Sequence, residues 1–256
     1  MKVIILAGGR GSRLGEETAN LPKPMIEIGG FPIMWHIMKI FAHWGFNEFI
    51  PTLGYKGNII KQYFLNYFHQ TNDITVKIQS GEIENQSNPS EDWIIHLLNT
   101  GINTQTGGRI RRAMKFANNE SVFATYGDGL ADINLKELLR FHQNHGRLAT
   151  VTAVHPPSRF GSLDLNGDSV ASFAEKPQIK KGWINGGFFV LNPEVKDYIA
   201  GDDIPLESDP LKNLAKEGQL MAFRHDGFWQ PMDTIREKGV LNQLWKTGKP
   251  PWKVWK

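Results

Sequence analysis

The 256-residue chain predicts an α/β fold, a parallel sheet with helices on both faces. Two observations carry this. Short β-branched or aromatic runs alternate with stretches of helical spacing. Two of those runs also stop at glycine clusters, where open α/β sheets bind their ligands.

The runs are Val3–Leu6, Phe49–Thr52, Thr75–Ile78, Val122–Tyr126, Ala149–Val154 and Gly187–Leu191. After Pro32, the residues Ile33, Ile37, Ile40 and Phe41 recur at helical intervals. Ile59, Ile60, Tyr63, Phe64 and Phe68 do the same, as do Leu135, Leu138, Leu139 and His142 behind a candidate N-cap, Asn134. The length allows one large domain or two small ones, and a single domain over 1–256 is expected, with an excursion near 79–105 and a C-terminal segment from about 233.

Composition narrows the function classes. A net charge of +3 with no Lys/Arg block argues against nucleic acid as partner. Cysteine is absent, which excludes disulfides, thiolate catalysis and Cys-ligated zinc. No apolar stretch approaches the ~20 residues of a membrane span. The opening apolar run is too short for a signal-peptide core, so a cytoplasmic protein with no membrane partner is expected. The eight histidines show no paired metal-ligand spacing.

Chemistry gathers in a few short stretches. The first strand runs into Gly8-Gly9-Arg10-Gly11-Ser12-Arg13, and Lys23 follows between two prolines. Glycines there let the backbone approach a ligand, and their N–H groups suit phosphates. Arg13 and Lys23 would neutralise the charge; the plain alternative is a glycine turn with surface cations. The pattern is neither G-x-G-x-x-G, which needs glycine at Leu14, nor a Walker loop. Asp128 lies between Gly127 and Gly129 at a strand end, placed either for Mg²⁺ or for an ordinary turn. Asp233, in a stretch with Trp229 and Pro231, is a second metal carboxylate or a helix cap. Glu175, Lys176 and Asn185 offer the charges, donors and acceptors that a sugar phosphate needs, or form a surface loop and a hairpin. Thr106-Gly107-Gly108-Arg109 is a second anion contact or a helix start.

Together, "LAGGRGSRL", "LPKPM", "YGDG", "EKP", "NGGFFVLNP" and "WQPMDT" resemble the sugar-1-phosphate nucleotidylyltransferase family over essentially the whole chain. "WHIMK", "GYKG", "YFLNYF", "TGGR" and "GFWQPMDT" resemble its cytidylyl branch. Ser12 departs from the family's usual Thr and keeps the hydroxyl. The resemblance implies a Rossmann-like nucleotidyltransferase fold with a mixed, mostly parallel sheet. It implies that CTP and α-D-glucose 1-phosphate give CDP-glucose and pyrophosphate, with Mg²⁺. The implied nucleotide site is Leu6, Ala7, Gly8, Gly9, Arg10, Gly11, Ser12, Arg13, Lys23, Thr104 and Arg109. Asp128 and Asp233 are implied metal ligands. Gly161, Glu175, Lys176 and Asn185 are implied to hold the sugar phosphate, with Arg13, Lys23, Asp128 and Lys176 catalytic. A homo-oligomer, with a hexamer among its forms, is implied as well. The rival expectations are the same chemistry with another nucleotide or hexose 1-phosphate, and a non-catalytic sugar-nucleotide sensor.

Overall fold

The structure is a computed structural model and describes residues 1–86, 91–118, 120–157, 162–166, 169–174 and 182–255. A nine-stranded mixed sheet forms its centre. Strand Val3–Ala7 lies in the middle, parallel to Glu48–Leu53 on one side and Val122–Tyr126 on the other. Beyond Val122–Tyr126 come antiparallel Phe189–Leu191, then Ala149–Val154, and at the edge Leu220–His225, parallel to its neighbour. The short strands Ile94–Ile95 and Leu98–Asn99 close the other edge.

The alternation of the central strand explains the layers. Val3, Ile5 and Ala7 face one side, packed with Ile33, Ile37, Ile40 and Phe41 of helix Ile33–His43. Ile4 faces the other, packed with Ile110, Ala113 and Met114 of helix Thr106–Phe116. Both faces are covered, so the strands read as continuous apolar runs. Asn134 caps helix Leu135–His145 as its sequence predicts, its Oδ1 accepting from the N–H groups of Lys136 and Glu137. Among the described residues, no helix is long and apolar enough to cross a membrane.

Two expectations change. The run at Thr75–Ile78 does not join the central sheet: Asp73–Lys77 pairs with Glu82–Gln86 in a separate, exposed hairpin. The excursion therefore begins before residue 79, and the chain regains the sheet edge at Ile94. The run from Gly187 is strand only over Phe189–Leu191. Asn185 lies opposite Ala153 and Val190 opposite Thr150, so five steps of chain face three. The two extra residues are taken up in a bulge spanning Gly186–Phe188, with positive φ at Gly187 (77°) and at buried Phe188 (47°). The aromatic tail packs within the chain: Trp252 is fully buried and stacks on Phe228.

Candidate active site

Leu6 and Tyr126 are register partners on parallel neighbouring strands, so the loops after both emerge at the same edge of the sheet. Between them lies a cleft of about 520 Å³ lined by Leu6, Gly9, Thr104, Tyr126 and Asp128 among others. A smaller cavity of about 170 Å³ adjoins it, lined by Ala7, Gly11, Arg13, Lys23 and Asp128. The carboxyl ends of the parallel strands are where such a sheet binds ligands.

The cavity holds a charge cluster. The Lys23 ammonium donates to Asp128 Oδ2 at 2.5 Å and to Asp233 Oδ1 at 2.6 Å. Arg13 reaches the same Asp233 oxygen at 2.8 Å. Lys23 is buried by the short helix Lys23–Met25 and its flanking prolines, whereas the Arg13 side chain stays 69% exposed. Asp233 is delivered by strand pairing: Trp229–Pro231 runs antiparallel to Gly129–Ala131, and Met232 N–H donates to the Asp128 carbonyl. Helix Ile235–Lys246 is capped by Thr234 and Glu237 in a reciprocal capping box. Asp233 is therefore not the cap, and its carboxylate is left for the cleft.

These residues fit a hard divalent cation. Mg²⁺ commonly takes one or two carboxylates and completes its shell with phosphate oxygens and water. Two aspartates already converge on one positive charge, and the ammonium marks a point where their field favours a cation. Among the described residues, no cluster of three or more His, Cys, Asp or Glu forms an all-protein cage. Substrate oxygens would supply the rest.

Arg109 braces the wall of the cleft. It borders the cleft, yet it is buried and its guanidinium is committed to the chain. Nη1 donates to the Leu53 carbonyl at 3.0 Å and to Thr100 Oγ1 at 2.5 Å, and Nη2 donates to the Gly8 carbonyl at 3.1 Å. Burial, with Arg112 nearby, lowers its pKa. The need for glycine at position 8 follows from this contact: a Cβ there would lie 2.0 Å from Arg109 Nη1. Gly54 is held to glycine by the same guanidinium and the Gly8 carbonyl. At Gly9 a Cβ would meet nothing within 4 Å, so Gly9 is the member of the pair with open space beside it. Gly107 and Gly108 serve packing, since Cβ atoms there would strike Ile204 and Asp202 backbone. The Thr104 hydroxyl donates to the Thr100 carbonyl at 2.5 Å at the cleft wall.

A second polar network lies at the mouth of the cleft. Asn185 donates through Nδ2 to the Tyr126 hydroxyl at 2.9 Å. The Tyr126 hydroxyl donates to Glu207 Oε1 at 2.6 Å, and Thr106 Oγ1 donates to Glu207 Oε2 at 2.6 Å. Burial first, then the Glu207 charge, pushes the Tyr126 phenol pKa up. The sequence reading missed Tyr126, Thr106 and Glu207 in these roles. Tyr126, adjoining the Gly-Asp-Gly turn, and Thr106, opening the Thr-Gly-Gly-Arg stretch, carried a local signal; Glu207 carried none. Gly161, Glu175 and Lys176 lie outside the described residues.

A glycine loop at a strand end, two aspartates on one ammonium and a deep cleft beside them describe a nucleotide-handling site. The family model for nucleotidyl transferases matches residues 2–232, and the chain belongs to that family. It is 50% identical over 256 residues, all of both chains, to the glucose-1-phosphate cytidylyltransferase of Salmonella typhimurium strain LT2. A mannose-1-phosphate guanyltransferase of Aspergillus oryzae is 30% identical, over 94% of this chain and 63% of that protein. Among solved structures, UDP-glucose pyrophosphorylase complexed with UDP-glucose superposes with a TM-score of 0.70, covering 96% of this chain and 98% of that one. At 15% identity that likeness concerns the fold.

Proposed function

We propose that this protein is a glucose-1-phosphate cytidylyltransferase, which transfers the cytidylyl group of CTP to α-D-glucose 1-phosphate and releases pyrophosphate. The observation that carries the chemistry is the Lys23 ammonium held between Asp128 and Asp233 beside the glycine loop. The full-length identity to the Salmonella enzyme carries the choice of base and sugar.

In this reading a phosphate oxygen of glucose 1-phosphate attacks the α-phosphorus of CTP in line. A new P–O bond forms, the α–β bridging P–O bond breaks, and pyrophosphate leaves with its electron pair. The attacking oxygen is already anionic at neutral pH, so no general base is needed. Positioning and charge neutralisation then do most of the catalysis. The backbone from Leu6 to Ser12 cradles the triphosphate, with Thr104 and the Arg109-braced wall beside it. Arg13 and Lys23 move from the aspartates to the phosphates and neutralise the charge that develops on the leaving group. Asp128 and Asp233 would hold Mg²⁺, which supplies Lewis-acid polarisation of the phosphoryl oxygens. Lys176 would hold the attacking phosphate against repulsion by the triphosphate, with Gly161, Glu175 and Asn185 around the sugar. The reading extends to a homo-oligomer, up to a hexamer.

The test is pyrophosphate release from glucose 1-phosphate and Mg²⁺ with CTP, UTP, dTTP, ATP and GTP side by side. Release with CTP alone is expected. Release with a different nucleotide would move the base assignment, and none from folded protein would favour another hexose 1-phosphate first and a sugar-nucleotide sensor second.

A further inference from the structure

We propose that Glu207 is a positioning residue for the sugar-phosphate half of the site, acting through Tyr126 on Asn185. The inference rests on the reading of Asn185 as a sugar contact.

The argument follows the protons. Glu207, in the segment before helix Asp209–Lys216, accepts from Tyr126 and from Thr106, each at 2.6 Å. A carboxylate has no proton to give, so both hydroxyls must donate to it. The Thr106 oxygen in turn accepts the Leu206 N–H at 2.8 Å, which leaves its own proton for Glu207. With its proton committed to Glu207, the Tyr126 oxygen only accepts. The Asn185 atom that faces it must then be the amide nitrogen. A separate contact demands the same orientation: the Gly187 N–H reaches Asn185 Oδ1 at 2.8 Å. The amide is left with one N–H and one lone pair, which together match a sugar hydroxyl as acceptor and donor.

Without the carboxylate the chain loses its direction. The Tyr126 proton is then free to point at Asn185, which favours a turned amide. A turned amide sets its NH₂ against the Gly187 N–H, donor against donor. Glu207, through the direction it gives the Tyr126 proton, therefore adds to the Gly187 N–H in holding the face of Asn185 that meets a ligand.

The surrounding backbone supports a functional purpose. Asn185 opens the two-residue bulge, whose Gly186 carbonyl accepts from Trp229 Nε1 at 2.9 Å and whose Phe188 carbonyl accepts from Thr152 at 2.8 Å. A buried non-glycine residue at positive φ is a strained element, and such elements gather at ligand sites. Glu207 itself is exposed, where hydrogen-bonded charges add little to stability. Its loss is therefore expected to register in binding more than in unfolding.

The experiment measures CDP-glucose and CDP binding by calorimetry with Mg²⁺ for wild type, Tyr126→Phe, Glu207→Ala, Glu207→Gln and Asn185→Ala. Tyr126→Phe and Glu207→Ala are expected to weaken CDP-glucose about tenfold and CDP by less than about twofold, the worth of one directed hydrogen bond to the sugar. KM for glucose 1-phosphate should rise in parallel while KM for CTP holds. Glu207→Gln keeps an oxygen for the Tyr126 proton and should bind close to wild type. The Tyr126→Phe/Glu207→Ala double variant should be no weaker than either single one, since both break one chain. Equal weakening of CDP and CDP-glucose would overturn the proposal. So would a Glu207→Gln as weak as Glu207→Ala, or additive losses in the double variant. If Glu207→Ala does not fold, Tyr126→Phe carries the test, since it removes a single oxygen. Weakened CDP-glucose binding in Asn185→Ala with none in Glu207→Ala would overturn the role of Glu207 alone. Unchanged binding in Asn185→Ala, or no CDP-glucose binding by wild type, would overturn the underlying reading and the proposal with it.

Discussion

Lys23 and Asp128 meet at 2.5 Å, and the same ammonium touches Asp233 at 2.6 Å. One cation thus holds together two carboxylates that would otherwise repel. A phosphate that draws Lys23 away leaves the aspartates in need of another positive charge. In the proposed function, nucleotide binding and divalent-cation binding are linked through this lysine, each favouring the other.

Lys23→Met exposes that linkage. Asp128 loses the ammonium and Asp233 keeps only the exposed Arg13, so the variant is expected to bind Mn²⁺ in the absence of nucleotide more tightly than wild type, read by electron paramagnetic resonance. Its kcat/KM should fall by about 10²-fold or more, the usual scale for one lost phosphate-neutralising group. Equal Mn²⁺ affinity in both proteins would break the linkage.

Asp128→Asn keeps the shape of the turn and removes the charge. Turnover should fall by about 10²-fold or more while the circular dichroism spectrum is unchanged, because the metal-holding charge of the proposed function acts on the transition state rather than on the fold. Near-normal turnover would remove Asp128 from the metal site.

Arg109→Lys should behave like a loss of function despite its retained charge. Three acceptors, the Gly8 and Leu53 carbonyls and Thr100 Oγ1, are reached by a planar fork that an ammonium cannot reproduce. Buried unsatisfied acceptors cost about 1–3 kcal/mol each, so urea denaturation should show a loss of that order and CTP binding should weaken with it. Gly8→Ala, which drives a Cβ into the same guanidinium, should reproduce both defects. Unaltered stability in Arg109→Lys would mean that Arg109 does not brace the loop.

His36 sets an acid limit on stability. It is fully buried beside Trp35 and Trp245, and its Nε2–H donates to the Ile28 carbonyl. Burial lowers its pKa from 6.5 to about 4. Between those values the unfolded chain binds the extra proton, so stability is full above pH 6.5 and falls as pH drops toward 4. The loss is on the order of 3 kcal/mol at most. His142 and His145 are also lowered by burial and act in the same direction. His36→Gln should flatten, without abolishing, the pH dependence of urea midpoints between pH 4.5 and 6.5. An unchanged slope would contradict the assignment.

Much of the scaffold was legible in the chain. Five of the six apolar runs correspond to strands of the central sheet, because a strand buried on both faces must be apolar throughout. The exception, Thr75–Ile78, has the same local composition but pairs only with its own hairpin neighbour. Local propensity reports that a segment is extended and says nothing of its partner. The loop glycines, Lys23 and Asp128 were legible for a related reason: a strand that ends in glycines beside charge is readable within one short window.

Asp233 shows where such a window stops. Its carboxylate reaches the ammonium that Asp128 also holds only because Trp229–Pro231 pairs with Gly129–Ala131, a register set between distant segments. Arg109 reads as an anion contact or part of a helix start from its glycine neighbours, and tertiary packing sets its guanidinium on the Gly8 and Leu53 carbonyls and the Thr100 hydroxyl. Glu207 had no signature at all, because its meaning lies in the direction of two hydroxyl protons supplied by Thr106 and Tyr126. Sequence alone determined which segments are extended or helical and where the backbone can turn, since these depend on residues adjacent in the chain. The tertiary structure decided which charges share a cavity and which way each hydrogen bond runs, since these depend on groups the chain brings together only when it folds.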